Sequence, residues 1–202
     1  MWVEPVGADM RIAICGPMAS GKSWIAERLV SMGFERVSLA RGVKRFGASI
    51  LETLIEEGLV APEQAGIKQR RLLQTIGAEG RAIDPNLWIR DAINESERHD
   101  MVVIDDMRFV NEARALAAEG FHIVRLSFPD EESQLRRLRT AYPGDWQRHW
   151  DARDDVSEAE HSAVPPELVS LELTVEDGPG NWDMVNGYVA NAVWETLTRG
   201  TA

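Results

Sequence analysis

The sequence has one cysteine, Cys15, and no apolar run close to the ~20 residues that a membrane-spanning helix needs. A lone cysteine excludes an intramolecular disulfide and any thiolate metal cluster, and it fits a buried structural residue in a reducing compartment. Basic residues are also scarce: 22 Lys plus Arg stand against 33 Asp plus Glu, and 22 − 33 gives a net charge of −11. A field of that sign repels polyanions, so nucleic acid is not expected as the main partner. Gly at 16 and Pro at 9 are too few for a low-complexity chain, and no repeat or Gly/Ser/Pro-rich linker divides the sequence. Residues 1–9 have neither a basic segment nor an apolar one of the secretory type and read as an N-terminal extension. The expectation is a single cytoplasmic domain over residues 10–202, with no membrane or nucleic-acid partner and a homodimer left open.

What is present is an alternation of short apolar runs and amphipathic stretches. Met10–Cys15 (MRIAIC) and Met101–Asp105 (MVVID) are nearly continuous apolar runs, as in buried parallel strands. Arg36–Ala40, Phe121–Ser127 and Ser170–Val175 read as further strands. Between them, helical periodicity is expected over Lys22–Met32, Arg41–Gly58, Glu63–Ile76, Pro85–Asn94 (with Asp84 as cap), Asn111–Glu119, Asp130–Arg139 and Asp183–Thr198. Strands regularly separated by helices predict an α/β fold with a central parallel sheet of about five strands in three layers. Two connections are long for such a unit, 41–94 and 130–166, and read as a helical insertion and a lid-like region.

Directly after the first strand, Gly16-Pro17-Met18-Ala19-Ser20-Gly21-Lys22-Ser23 satisfies the phosphate-binding pattern Gly-x-x-x-x-Gly-Lys-Ser and opens a helix. Gly16, Ala19, Ser20 and Gly21 let the backbone curl so that its N–H groups face phosphate oxygens, Lys22 neutralises the phosphates, Ser23 is placed to ligate Mg2+, and Trp24 comes next on the helix. The second buried strand ends on Asp105-Asp106, where nucleotide-binding folds place a carboxylate near the metal. Neighbouring strand residues point to opposite faces, which leaves open which of the two faces the ion. The guanine signature Asn-Lys-x-Asp is missing, and with a single phosphate loop in 202 residues the chain reads as a small-molecule kinase using ATP and Mg2+. His149 and His161 lack ligand spacing and read as surface histidines.

Leu72-Leu73-Gln74-Thr75-Ile76-Gly77-Ala78-Glu79-Gly80-Arg81, then Trp88, then Val103-Ile104-Asp105-Asp106-Met107-Arg108-Phe109-Val110-Asn111-Glu112-Ala113 make a distinctive series. Together with the loop, it resembles the deoxynucleoside monophosphate kinases of bacteriophages over roughly 10–120, with Ala78 where that family usually has Thr and Val110 where it often has Pro. The resemblance implies phosphorylation of a deoxynucleoside monophosphate to the diphosphate, in the supply of DNA precursors. It places the acceptor under the 41–94 insertion. There Arg81 and Arg41 would clamp its phosphate, with Lys44 nearby, Gln74 would meet the base edge, and Trp88 would either stack on the base or pack within the insertion. Arg108 would stand close to the transferring group. From the lid region at least one of Arg136, Arg137, Arg139, Arg148 and Arg153 would reach it. Asp155-Val156-Ser157-Glu158 faintly matches a His-x-Ser-Glu segment of the family, and Asp177-Gly178 stands where such folds hold adenine. Alternatives are a kinase of another small acceptor, such as dephospho-coenzyme A or a shikimate-like ring, and a non-catalytic nucleotide-binding regulatory protein.

Overall fold

The computed structural model describes residues 10–63, 69–151 and 160–175, together with Val193 and Glu195. Its centre is a sheet of five parallel strands, β1 (Met10–Cys15), β2 (Glu35–Arg36), β3 (Met101–Ile104), β4 (His122–Ser127) and β5 (Val169–Thr174), in the order β2-β3-β1-β4-β5. The apolar run of β1 is explained by burial on both faces: Ile12 and Ile14 enter one core and Ala13 and Cys15 the other. Helix α1 (Lys22–Val30) covers the first core with Ile25 and Leu29. On the other side, α4 (Leu87–Ser96) contributes Ile89 and α5 (Val110–Ala118) contributes Leu116. This is the three-layer architecture expected, with β1 central and the phosphate loop leaving its carboxyl end. Among the described residues no helix is long and apolar enough to cross a membrane.

Several boundaries differ from expectation for identifiable reasons. The strand expected over Arg36–Ala40 stops at Arg36. The Val37 N–H still reaches Val103 O at 3.0 Å, but the N–H groups of Leu39 and Ala40 are taken by Asp106 at 2.9 and 3.3 Å. A carboxylate thus replaces the sheet as hydrogen-bond acceptor and turns the chain into α2 (Arg41–Glu56). The helix expected to end at Ile76 runs instead over Arg70–Ile83, as α3. Gly77 and Gly80 lie inside it, and at Gly80 a neighbour occupies the space a side chain would take. The Trp88 indole lies against Gly80 and Gly42, and its Nε1–H donates to Gly77 O at 3.1 Å. Asp84 does not cap α4 as expected; its carboxylate accepts from the Asn86 N–H at 2.8 Å in the turn, and α4 begins at Leu87 beyond Pro85.

On the far side, α6 (Glu131–Ala141) is capped by Asp130, whose Oδ1 accepts the Ser133 N–H at 2.7 Å and whose pKa is lowered by the Ser133 hydroxyl and by that N–H. Helix α7 (Trp146–Asp151) comes next, within the region that shows little periodicity. The extension 1–9, Arg153, the Asp155–Glu158 segment and Asp177-Gly178 lie outside the described residues. So does the expected closing helix, apart from Val193, which is buried in the α1-side core, and Glu195.

The packing of Trp88 yields a test. A Cβ at Gly80 overlaps the indole ring, which is itself held by α2, α3 and α4. Gly80→Ala is expected to lower unfolding stability by about 2 kcal/mol, as for overpacking in a filled core, despite the gain in helix propensity. Urea denaturation of the pair reads this as a lower midpoint with unchanged slope, whereas a raised midpoint would show that the ring is free to move.

Candidate active site

The phosphate loop is built by backbone that ordinary residues resist. Gly16 has φ +146°, and a Cβ there would lie 2.6 Å from Leu126 O, so the loop can pass this close to β4 only with glycine. Ala19 has φ +65°, the one non-glycine residue in the left-handed region among those described, and Gly21 with φ +89° precedes α1. Past this turn the N–H groups of the first turn of α1 have no acceptor within the helix, which gives the loop its anion-binding character. Lys22 Nζ donates to Gly16 O at 2.7 Å and Pro17 O at 2.8 Å, so its ammonium is folded over the loop. Ser23 is exposed at the helix start, and the buried Ser20 hydroxyl has no protein partner. Trp24 is half-buried against the α1-side core. A curled loop with an inward cation, an exposed hydroxyl and an orphaned one fits a phosphate chain and its metal.

Among the described arginines of 130–166, one reaches the loop. Arg137 of α6, only 8% exposed, donates from Nε to Ala19 O at 3.1 Å, across the top of the left-handed turn. Arg136, Arg139 and Arg148 make other contacts. Arg139 lies over the Trp146 ring, 4.6 Å from its centroid, Arg148 faces Asp145 at 3.8 Å, and Arg136 bonds Ser133 Oγ at 2.9 Å and Glu132 at 3.1 Å. His149 also faces Asp145, at 3.7 Å. Beside the loop a cavity of about 760 Å³ opens between Pro17 and Met18, the end of β4 and the 161–166 turn, with the Arg125–Glu172 ion pair in its wall.

The carboxylates expected at a metal are engaged by β2 and the residues just after it. Asp105, 6% exposed, takes a two-pronged contact from Arg36, with Nε at 2.9 Å and Nη2 at 2.5 Å, and this pairing raises the Arg36 pKa. Asp106 accepts from Ser38 Oγ at 2.6 Å as well as from Leu39 and Ala40. A cation at Asp105 must therefore displace Arg36. Among the described residues no group of three or more His, Cys, Asp or Glu is placed to hold a metal.

On the insertion side, Arg41 is paired with Asp91 at 3.3 Å and Glu95 at 2.9 Å, and Lys44 lies 3.5 Å from Ser38 Oγ. Gln74 is exposed on α3. Trp88 is 8% exposed and edge-on to Phe46, with ring centroids 5.9 Å apart. Its two alternatives thus resolve toward packing, since both ring positions facing α2 and α3 are covered. Arg81 is exposed, its guanidinium 5.5 Å from the centre of the Phe109 ring. Arg108 is also exposed, and its main-chain N–H donates to Glu112 Oε2 at 2.7 Å, beside that of Phe109 at 2.9 Å.

Glu112 is buried, and sequence reasoning does not single it out, because a carboxylate in an Asn-Glu-Ala helix start looks like a solvated first-turn acid. Its spacing three residues after Phe109 matches the acid of a capping box, which is the signal available. Burial raises its pKa to about 7, against the pull of the Arg108 and Phe109 N–H groups and of Arg81, and with Asp106 adding to the rise. Arg36 also escapes a sequence reading, being 69 residues from Asp105. Cys15 is buried as expected, and its thiol pKa is raised to about 11 by burial.

No family model matches the chain. It is 30% identical over 155 residues to the protein ORF77 of Ictalurid herpesvirus 1, covering 71% of this chain and 59% of that one, so it spans somewhat under two thirds of that relative. A dephospho-CoA kinase of Cutibacterium acnes is 25% identical over 219 aligned positions, covering 95% of this chain and 90% of the relative. Among solved structures, TT1252 from Thermus thermophilus superposes with TM-score 0.50 at 18% identity, covering 94% of this chain and 98% of that one. A shikimate kinase from Bacteroides thetaiotaomicron superposes with TM-score 0.51 at 14% identity, with the same coverage. The chain shares the fold of these two structures, a five-stranded parallel sheet between helical layers.

The buried carboxyl gives a pH test. Because the folded pKa of Glu112 is raised, its contribution to stability is complete below the unfolded value of 4.5 and is lost as pH rises toward 7. Glu112→Gln cannot ionise. Urea unfolding from pH 5 to 8 is expected to show the variant gaining on the parent by about 2 kcal/mol up to neutrality and no further above it. A difference independent of pH would place the titration outside this window.

Proposed function

We propose that this chain is an ATP- and Mg2+-dependent phosphotransferase whose acceptor is a deoxynucleoside monophosphate. The observation that carries the reading is the convergence on one loop of Lys22, folded over the Gly16 and Pro17 carbonyls, and Arg137, bonded to Ala19 O from the lid side. Phosphoryl transfer asks mainly for alignment and charge stabilisation, and two cations held at one phosphate loop supply both. In this reading Gly16, Ala19, Ser20, Gly21 and Lys22 cradle the donor phosphates. Ser23 holds Mg2+, which when bound offsets the charge of the phosphate oxygens, and Asp105 and Asp106 stand at the metal's side of the sheet.

The acceptor lies against the 41–94 insertion. Arg81 faces its phosphate, with Arg108 beside it and Gln74 exposed toward a base. Arg41 and Lys44 border the site; Arg41 is the weaker clamp, since Asp91 and Glu95 already share its charge. The 130–166 region excludes water when it closes, and Arg137 acts from it. Arg139 and Arg148 take part only if closure frees them from Trp146 and Asp145. The acceptor phosphate is already anionic at neutral pH, so no strong general base is required.

A second acceptor has one observation in its favour. The likeness to a dephospho-CoA kinase runs through almost the whole chain and almost the whole relative. The motif series from Leu72 to Ala113 and the exposed Arg81 favour the monophosphate.

Coupled ADP release with ATP and Mg2+ across dAMP, dGMP, dCMP, dTMP, their ribonucleotides, dephospho-coenzyme A and shikimate decides between them. Turnover is expected only with one or more deoxynucleoside monophosphates. Lys22→Ala and Arg137→Met are each expected to lower kcat by roughly 100-fold or more, as for removal of one transition-state donor. Turnover confined to dephospho-coenzyme A would move the assignment to that kinase, and ATP binding without any acceptor-dependent turnover would make the chain a nucleotide-binding regulator.

A further inference from the structure

Between the end of β3 and the start of α5, the segment Asp106–Phe109 touches three parts of the molecule at once. Asp106 holds the entry to α2 through Ser38, Leu39 and Ala40. Phe109 lies under the Arg81 guanidinium of α3, 5.5 Å from ring centre to carbon. Both of the segment's last N–H groups, of Arg108 and Phe109, converge on a single oxygen of Glu112. One buried carboxylate therefore fixes the backbone that carries Arg108 and the ring that supports Arg81. A helix first turn does not need this arrangement, because an exposed serine or threonine at its start would cap it without burying a charge.

We propose that Glu112 is a positioning residue for the acceptor phosphate: through the Arg108 and Phe109 N–H groups it sets the place of Arg108 and, by way of the Phe109 ring, of Arg81. The inference rests on the assignment of Arg81 and Arg108 to the acceptor phosphate. The ligand class it concerns is a phosphomonoester dianion, met by two guanidinium groups held from behind by one acid. Glu112 does not touch the ligand. Its carboxylate draws the two N–H groups together, and an amide oxygen at the same place can accept from both, so charge and geometry separate by substitution. Arg81 takes its direction from the ring face, its guanidinium being otherwise exposed.

The test compares Glu112→Gln, Glu112→Ala and Phe109→Leu with the parent in two assays. In steady-state kinetics with ATP and the accepted monophosphate, Glu112→Ala and Phe109→Leu are expected to raise acceptor KM about 10-fold while ATP KM stays within about twofold, and Glu112→Gln to stay within about threefold of the parent on both. In calorimetry, orthophosphate is titrated into protein whose donor site is filled by a non-hydrolysable ATP analogue. The same order of affinities is expected there, and Glu112→Ala is expected to weaken binding by a smaller factor in an Arg81→Met background than in the parent, since only its effect through Arg108 remains.

A general loss of packing would instead lower kcat and shift both KM values together; that result, or an amide variant as impaired as the alanine, overturns the proposal. The Phe109→Leu arm decides if the alanine variant does not fold. Should no monophosphate turn over, the functional assignment fails by itself and the orthophosphate titration still judges the inference. Equal phosphate affinity in parent and variants, or none in the parent, would refute it.

Discussion

Two adjacent carboxylates at the end of β3 set the geometry on which the rest of the site depends. Asp105 holds Arg36, the last residue of β2, and Asp106 holds Ser38, Leu39 and Ala40 beyond it. Since α2 starts at Arg41, these contacts fix where the α2–α3–α4 insertion leaves the sheet and how far it stands from the phosphate loop beside it. The constraint is electrostatic and directional: a two-pronged guanidinium–carboxylate contact fixes orientation as well as distance. Apolar packing alone holds layers together without setting an angle this sharply. The cost is that a nearly buried carboxylate cannot easily lose its partner, because an unpaired charge at that depth is strongly unfavourable.

The phosphate loop complements this rigid edge with stored conformational constraint. Gly16 allows a backbone approach to β4 that a methyl group would block, and Ala19 occupies a region that costs an alanine energy. The surroundings offset the strain of the turn by burying β1 on both sides of the sheet. With Lys22 and Arg137 both resting on loop carbonyls, two cationic groups are held at one loop, the preorganisation that the proposed phosphoryl transfer asks for.

The fold is legible in the sequence where signals are local and redundant. Buried strands announce themselves as unbroken apolar runs, and the loop motif lies in its required strand-to-helix setting. Local signals fail where a distant group overrides them. Nothing near Leu39 indicates that its N–H is taken by Asp106, so the sequence predicts a β2 that is too long. The glycines at 77 and 80 look like a helix stop until the indole of Trp88 bonds the carbonyl of the first and fills the side-chain place of the second. Within the site, the loop residues can be picked out from residue type and spacing, and Arg81 only through the resemblance carried by the series around it. Glu112 and Arg36 cannot, because their importance lies in burial and in pairing across the fold. The arginines of α6 look alike in the sequence, and among them contact with Ala19 O distinguishes Arg137.

The single cysteine sits on the central strand, at the last position before the phosphate loop and with no exposed surface. Its raised pKa leaves almost no thiolate near neutrality, so an alkylating reagent reaches a reactive sulfur only after β1 parts from its neighbours. With one thiol in the chain, the labelling rate needs no correction for other sites. Cys15 is thus a built-in clock for the opening of the central sheet, placed where any ligand on the loop must slow it.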